Sequence, residues 1–309
     1  MALLFLSEAD PVEPWRAALL AEMPDLDIRV WPDQVGDPGD IDVAFVWKPP
    51  PGELARYPNL RAILSLGAGI DALIQDDTLP DLPLARMVDP SMTSTMADYI
   101  LLSVLRHHRH FDLFEREQRA GRWTFVLPKR PEERTVGILG LGELGAAAAT
   151  RLLDHGFNVR GWSRSKKTIK GVQSFHGQGQ LDNFLEAAEI LVCLLPLTAD
   201  TEGILNAALF AALPKGACLI NAARGGHLKE IDLLDALENG QLSAATLDVF
   251  ETEPPPATSP LWLHERVLMT PHVASYCSPQ TAAKGVVENI KRALSGKPLR
   301  NLVDRNRGY

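Results

Sequence analysis

Three polar residues in this sequence carry a recognisable chemistry, and each follows a short apolar run: Arg224 after ACLIN, Glu253 after AATLDVF and His272 after RVLMT. A guanidinium stays charged and offers a planar fork of donors to a carboxylate or carbonyl oxygen. An imidazole gives and takes protons near neutral pH. A carboxylate bonded to one ring nitrogen fixes the ring and favours its protonated form. Together these are the tools for reducing a small 2-keto acid. Arg224 would bind and polarise the substrate, and His272 would give the carbonyl oxygen a proton as hydride reaches the carbon. Glu253 would orient His272. Taken singly, each residue has a plainer reading: a surface Arg, a Pro-His turn, and a Glu that ends a loop before Pro254. The functional reading depends on all three reaching one rim.

Hydride needs a carrier, and TVGILGLGELGAAAATRLL (135–153) reads as strand, GxGxxG and helix. Gly140 permits a sharp turn, Gly142 lets the backbone approach a pyrophosphate, and Gly145 lets helix and strand pack closely. The helix start at Glu143 and Leu144 offers N–H donors and a positive dipole end. Glycines cluster in any tight turn, so the context carries the reading: an apolar strand before, an Ala-rich helix over 144–155, and a second strand ending near Trp162. NAD-binding chains place an acid on the ribose about 20 residues further on. Here that stretch is GWSRSKK, with Ser163, Arg164, Ser165, Lys166 and Lys167. No acidic residue lies between Asp154 and Asp182, whereas Arg160, Arg164, Lys166, Lys167 and Lys170 all do. A carboxylate would repel a 2′-phosphate, while an arginine and a hydroxyl would hold it. The plainer alternative is a solvated basic loop. In a chain of net charge −8, cations at this one place predict NADPH/NADP+ over NADH.

The elements that must position these groups alternate along the whole chain. ALLFL, LDIRVW, VAFVW and NLRAILSL read as strands, with PWRAALLAEM a helix among them. A second series runs TVGIL, NVRGW, ILVCLL, ACLIN, AATLDVF and RVLMT. Such alternation predicts an α/β protein with parallel sheets and helices on their faces. The expected architecture is two Rossmann-like domains with the active site in the interdomain cleft, which closes on substrate. Residues 1–98 plus 276–309 would form a flavodoxin-like substrate-binding domain, including the helical pattern PQTAAKGVVENIKRAL. Residues 99–275 would form the dinucleotide-binding Rossmann domain. Residues 91–120 form the longest helical candidate and would bridge the two.

Composition narrows the function classes. The chain has 309 residues, 46% of them hydrophobic, with 31 basic and 39 acidic side chains. An acidic total argues against broad nucleic-acid or anionic-membrane binding. No apolar run approaches the ~18 residues of a membrane span, and MALLFLSEADP reads as a first strand, since it lacks a basic leader region. Cys193, Cys218 and Cys277 lack metal-ligand spacing, and two sit in apolar runs. They read as free thiols in a reducing cytoplasm. RHHRH (106–110) puts His107 and His110 three apart, but no acid or thiol partner is evident. We expect a solvated or interfacial helix face there, and no metal site.

The motifs GILGLGELG, LLPLTADTEGIL, INAARGG, LLDALENGQLSAATLDVFETEPPP and VLMTPHVA span most of residues 135–276. In that order they resemble the D-isomer-specific 2-hydroxyacid dehydrogenase family, and SLGAGID fits as well. VWKPP (46–50), WSRSKK, GVQSF, SPLWLHERV and the terminal DRNRGY resemble its NADPH-linked branch acting on glyoxylate and hydroxypyruvate. The resemblance implies that Arg224, Glu253 and His272 are the catalytic residues, with Arg224 and His272 also touching cofactor and substrate. It implies that backbone N–H groups at Ala68 and Gly69 take the substrate carboxylate, where the residues alone suggest a plain strand-to-helix turn. Leu195, Pro196 to Thr198, Ala222 and Asp248 are implied to line the cofactor, although Asp248 also reads as a strand-end acid. Trp47 reads equally as a wall of the substrate pocket or as core. A homodimer is implied through the long helix. Lys229 and Glu230 depart from the acids the family often places there. Relatives acting as dinucleotide-sensing corepressors supply the alternative function. A formate- or phosphite-oxidising reading is weaker, because formate enzymes of this type place Gln beside the His.

Overall fold

The computed structural model describes residues 1–305, so the last four residues of the DRNRGY motif lie outside the described residues. Contacts divide the chain into two compact units: Met1–Met92 with the segment from Cys277 on, and Thr93–Tyr276.

The first unit contains β1 (Ala2–Leu6), α1 (Val12–Glu22), β2 (Asp27–Val30), β3 (Ile41–Val46), β4 (Ala62–Ser65), α2 (Asp71–Ile74) and β5 (Leu84–Ala85). Its strands run parallel in the order β2-β1-β3-β4-β5, the order of a flavodoxin-like sheet. The strands are near-continuous apolar runs because both faces are covered. Leu3, Phe5, Val43 and Phe45 face one side and Leu4, Leu6, Ala44 and Val46 the other. The first side is covered by Trp15 and Leu19 of α1 and by Ala283, Val286, Val287 and Ile290 of the C-terminal helix Pro279–Leu294. Each large side chain so buried contributes ~1.5–3 kcal/mol.

The second unit begins within α3 (Pro90–His108), followed by α4 (Phe111–Arg119). The 91–120 stretch is therefore two helices. His110, at φ 58°, breaks them apart. The expectation of a solvated or interfacial face at RHHRH is corrected for His107 and His108, while Arg109 is exposed. His107 and His108 are buried, with the His107 Nε2 2.9 Å from the Thr246 hydroxyl and the His108 ring edge-on to Phe157. Burial pushes the His107 imidazole down to about 3, so it is neutral. Among the described residues there is no cluster suited to a metal ion, and no helix is long and apolar enough to cross a membrane.

Beyond these helices come β6 (Thr135–Leu139), α5 (Glu143–Asp154), β7 (Asn158–Ser163), β8 (Gln173–His176), α6 (Leu181–Leu185) and β9 (Ile190–Cys193). Next are α7 (Ala207–Ala211), β10 (Ala217–Asn221), α8 (Glu230–Glu238), β11 (Leu242–Leu247) and β12 (Val267–Met269), before the C-terminal helix, α9. The seven strands are parallel in the order β12-β11-β10-β9-β6-β7-β8. From β6 the chain winds one way to β8 and then the other way from β9. The topological switch point of this Rossmann sheet lies between β6 and β9, and ligands of open α/β sheets bind beside that point at the strands' C-terminal ends. Cys193 and Cys218 are core residues of this unit; burial raises both thiols to about 12.

Candidate active site

The glycine-rich turn sits at the switch point, and two of its glycines are sterically required. Gly140 follows β6 with φ 102°, and a Cβ there would lie 2.6 Å from the Leu194 carbonyl oxygen, just past β9. A Cβ on Gly145 would lie 1.8 Å from the Gly140 carbonyl oxygen, so α5 rests directly on the turn. Gly142 differs, since a Cβ there would meet nothing within 4 Å. It is the N-cap of α5, without a side-chain cap, and Glu143 and Leu144 form the first turn, whose leading N–H groups have no intrahelical acceptor. A bare backbone, open space and a positive helix end fit a pyrophosphate.

The ribose-end loop leaves β7 at Ser163. The Ser163 hydroxyl is buried and donates to the Ser165 carbonyl at 2.8 Å, so it shapes the loop. Arg164, Ser165, Lys166 and Lys167 are exposed. Arg160 has a different task. It donates to the Asn183 carbonyl at 2.7 Å and lies over the Phe175 ring, which ties β7 to α6. With Arg160 so engaged, the exposed cations of this stretch are Arg164, Lys166, Lys167 and Lys170.

Arg224, Glu253 and His272 follow the adjacent strands β10, β11 and β12 at their C-terminal ends. His272 and Glu253 meet directly. The His272 Nδ1 lies 2.9 and 3.1 Å from the two Glu253 carboxylate oxygens, one of which also accepts the Phe250 N–H. That pairing sets Nδ1 against the carboxylate and fixes the orientation of the ring. His272 has φ 55°, a left-handed conformation rare for a residue with a Cβ. Its backbone N–H donates to the Asp248 carbonyl at 2.9 Å. The Asp248 carboxylate is buried and accepts from the Thr270 hydroxyl and from the Val273 and Ala274 N–H groups, at 2.6–2.9 Å. Asp248 thus anchors the His272 loop, a structural task apart from any cofactor contact. Tyr99 donates to Thr270 at 2.7 Å, and burial raises its phenol to about 12, which preserves the donor.

The Arg224 loop is fixed from below and from the side. Asn221, fully buried, gives its Nδ2 to the Arg224 carbonyl and accepts from the Ala223 N–H. A Cβ on Gly225 would fall 1.9 Å from the Phe250 carbonyl carbon, so this loop lies backbone to backbone against the loop that leads to Glu253. Leu195, Ala222 and Pro196 occupy the ends of β9 and β10; the Pro196 carbonyl accepts from Thr201, whose hydroxyl also accepts the Thr198 N–H. Sequence reasoning missed Asn221 and His227. The available signal was a polar side chain closing the apolar run ACLIN.

In the first unit, Trp47 follows β3 and is half-buried at the edge of the core. Its ring lies against Gly67, where a Cβ would be 2.2 Å from it. Ala68 and Gly69, partly exposed, come next on the loop after β4. Trp47 therefore belongs to the core edge and also supports the loop that carries Ala68 and Gly69.

Comparison with known proteins identifies the family. Residues 101–274 match the model of the D-isomer specific 2-hydroxyacid dehydrogenase NAD-binding domain. The chain belongs to the D-isomer specific 2-hydroxyacid dehydrogenase family. It is 45% identical over 315 aligned residues to glyoxylate/hydroxypyruvate reductase A of Serratia proteamaculans, covering 100% of both chains. Among solved structures it is similar to a D-isomer specific 2-hydroxyacid dehydrogenase from Xanthobacter autotrophicus Py2 in complex with NADPH and MES. The TM-score is 0.95 and the identity 51%, covering 100% of this chain and 99% of that one. A further match is an NADPH-dependent glyoxylate/hydroxypyruvate reductase from Sinorhizobium meliloti in complex with NADP and sulfate, at TM-score 0.93 and 38% identity, covering both chains fully.

Proposed function

We propose that the protein reduces small 2-keto acids, glyoxylate and hydroxypyruvate, to 2-hydroxy acids with NADPH. The observation that carries the reading is the carboxylate-clamped His272 at the rim that also presents Arg224. The turn at Gly140, Gly142, Glu143 and Leu144 would hold the pyrophosphate, and Ser163 to Ser165 with the neighbouring lysines the phosphorylated ribose. Leu195, Pro196, Ala222 and Asp248 would line the nicotinamide end. When bound, the nicotinamide supplies hydride to the substrate carbon. Arg224 forks onto the substrate's oxygens, and the Ala68 and Gly69 N–H groups take its carboxylate. His272 holds the proton at Nε2 and gives it to the carbonyl oxygen, while Glu253 stabilises the charged ring.

The test is NADPH oxidation on adding either keto acid, repeated with NADH. NADPH should be favoured by at least about tenfold in kcat/KM, the worth of one charge-assisted hydrogen bond. The double variant Arg164→Ala with Lys166→Ala should remove most of that preference. Equal efficiency with both cofactors in the parent would reject the ribose-loop reading. Tight NADPH binding without turnover on any small 2-keto acid would point to a dinucleotide-sensing protein.

We further propose a cytoplasmic homodimer. The cysteines are free thiols, in keeping with a reducing compartment. After α4 the chain exposes Trp123, Phe125 and Leu127 within five residues, each at least 79% exposed. So dense an apolar patch marks a contact surface. Light scattering should give a dimer mass, and Trp123→Ser with Phe125→Ser should shift it to monomer. A monomeric parent protein would refute the proposal.

A further inference from the structure

His227 takes no part in the reaction as written, yet it is 0% exposed. Its Nδ1 lies 3.1 Å from the Arg224 carbonyl oxygen and its Nε2 3.2 Å from the Pro196 carbonyl oxygen. The first oxygen belongs to the loop after β10 that presents Arg224. The second belongs to the loop after β9, beside the glycine-rich turn. The backbone joins the same two segments further out, through Gly203 N–H to the Gly226 carbonyl and Leu205 N–H to the His227 carbonyl.

Packing alone does not account for this residue, because a leucine would fill the space without burying two polar atoms. A carbonyl oxygen only accepts, so a ring nitrogen bonds to it as an N–H, and the ring sets one nitrogen against each of the two loops. Each carbonyl also has another donor: Asn221 serves that of Arg224 at 3.0 Å and the Thr201 hydroxyl serves that of Pro196 at 2.7 Å. His227 is therefore not required to satisfy either carbonyl by itself. Its contribution is a link from one loop to the other.

We infer that His227 is a positioning residue that holds the Arg224 loop in register with the cofactor loop at Pro196, so that the keto acid and the hydride donor are presented together. The inference rests on the proposed assignment of Arg224 to substrate and Pro196 to cofactor. Two conservative variants divide the link. The Asn amide nitrogen can take the place of Nδ1, and the Gln amide nitrogen that of Nε2. In His227→Gln the tie to Arg224 is lost. The KM for glyoxylate should rise about tenfold, with the NADPH Kd within about twofold of the parent. In His227→Asn the tie to Pro196 is lost. The NADPH Kd should rise several-fold, with glyoxylate kcat/KM at saturating NADPH close to the parent value. His227→Leu should show both losses. If the Gln and Asn variants shift both parameters alike, or shift only Tm, the residue is a packing element and the inference is overturned. If the parent protein turns over no keto acid, the proposed reaction fails on its own. The link is then judged by NADPH binding, where equal Kd values for the Asn and Gln variants overturn it and a weaker Asn variant supports it.

Discussion

Replacing His272 with Gln is expected to lower kcat for glyoxylate reduction by about 10³-fold, within the range that positioned proton transfer contributes, while the NADPH Kd moves less than about twofold. Gln can keep a polar contact to Glu253 but cannot release a proton. Both residues bear an unbranched Cβ, so the left-handed backbone at this position (φ 55°) costs them similarly, and the loop anchored by Asp248 should hold. Stopped-flow NADPH oxidation and cofactor fluorescence titration measure the two quantities separately. Turnover within about tenfold of the parent would remove His272 as the proton donor. Loss of NADPH binding in parallel would show that the substitution had disturbed the cofactor site itself.

The second large effect concerns the glycine-rich turn, where two glycines should fail in opposite ways. At Gly145 a Cβ would sit 1.8 Å from the Gly140 carbonyl oxygen, and Gly140 is itself packed against the Leu194 carbonyl. Neither backbone segment has room to retreat, so α5 must move outward. Gly145→Ala should cost ~3 kcal/mol or more, the upper range for overpacking, and appear as a fall in Tm and loss of NADPH binding. At Gly142 the added methyl meets nothing within 4 Å and φ is −75°. Gly142→Ala should leave Tm nearly unchanged and weaken NADPH by at least about tenfold, because the methyl takes the room meant for the pyrophosphate. Differential scanning fluorimetry with and without NADPH separates the two. A stable Gly145→Ala protein with intact binding would contradict the geometry of the turn.

Much of this was legible in the sequence because the strands are buried on both faces and so read as unbroken apolar runs. The helix PQTAAKGVVENIKRAL is bounded in the structure as the pattern suggests, Pro279–Leu294, since Pro at its first turn and an apolar stripe mark both its start and its face. The helix after the glycine-rich turn begins one residue earlier than expected, at Glu143. The break at His110 was hidden because neither Gly nor Pro marks it. β8 was hidden because its side chains are only partly buried, which leaves no strong apolar signal. The burial of His107 and the commitment of Arg160 to carbonyls on α6 depend on partners 139 and 23 residues away, and local spacing carries no trace of these. His227 was missed because its partners are main-chain oxygens, which every residue possesses, whereas Asn221, the polar residue that closes ACLIN, did carry a local signal.

The backbone contact at Gly225 also constrains how such a protein diversifies. Because the segment bearing Arg224 lies directly on Phe250 and Glu251, inserting a residue into either segment would unseat the other.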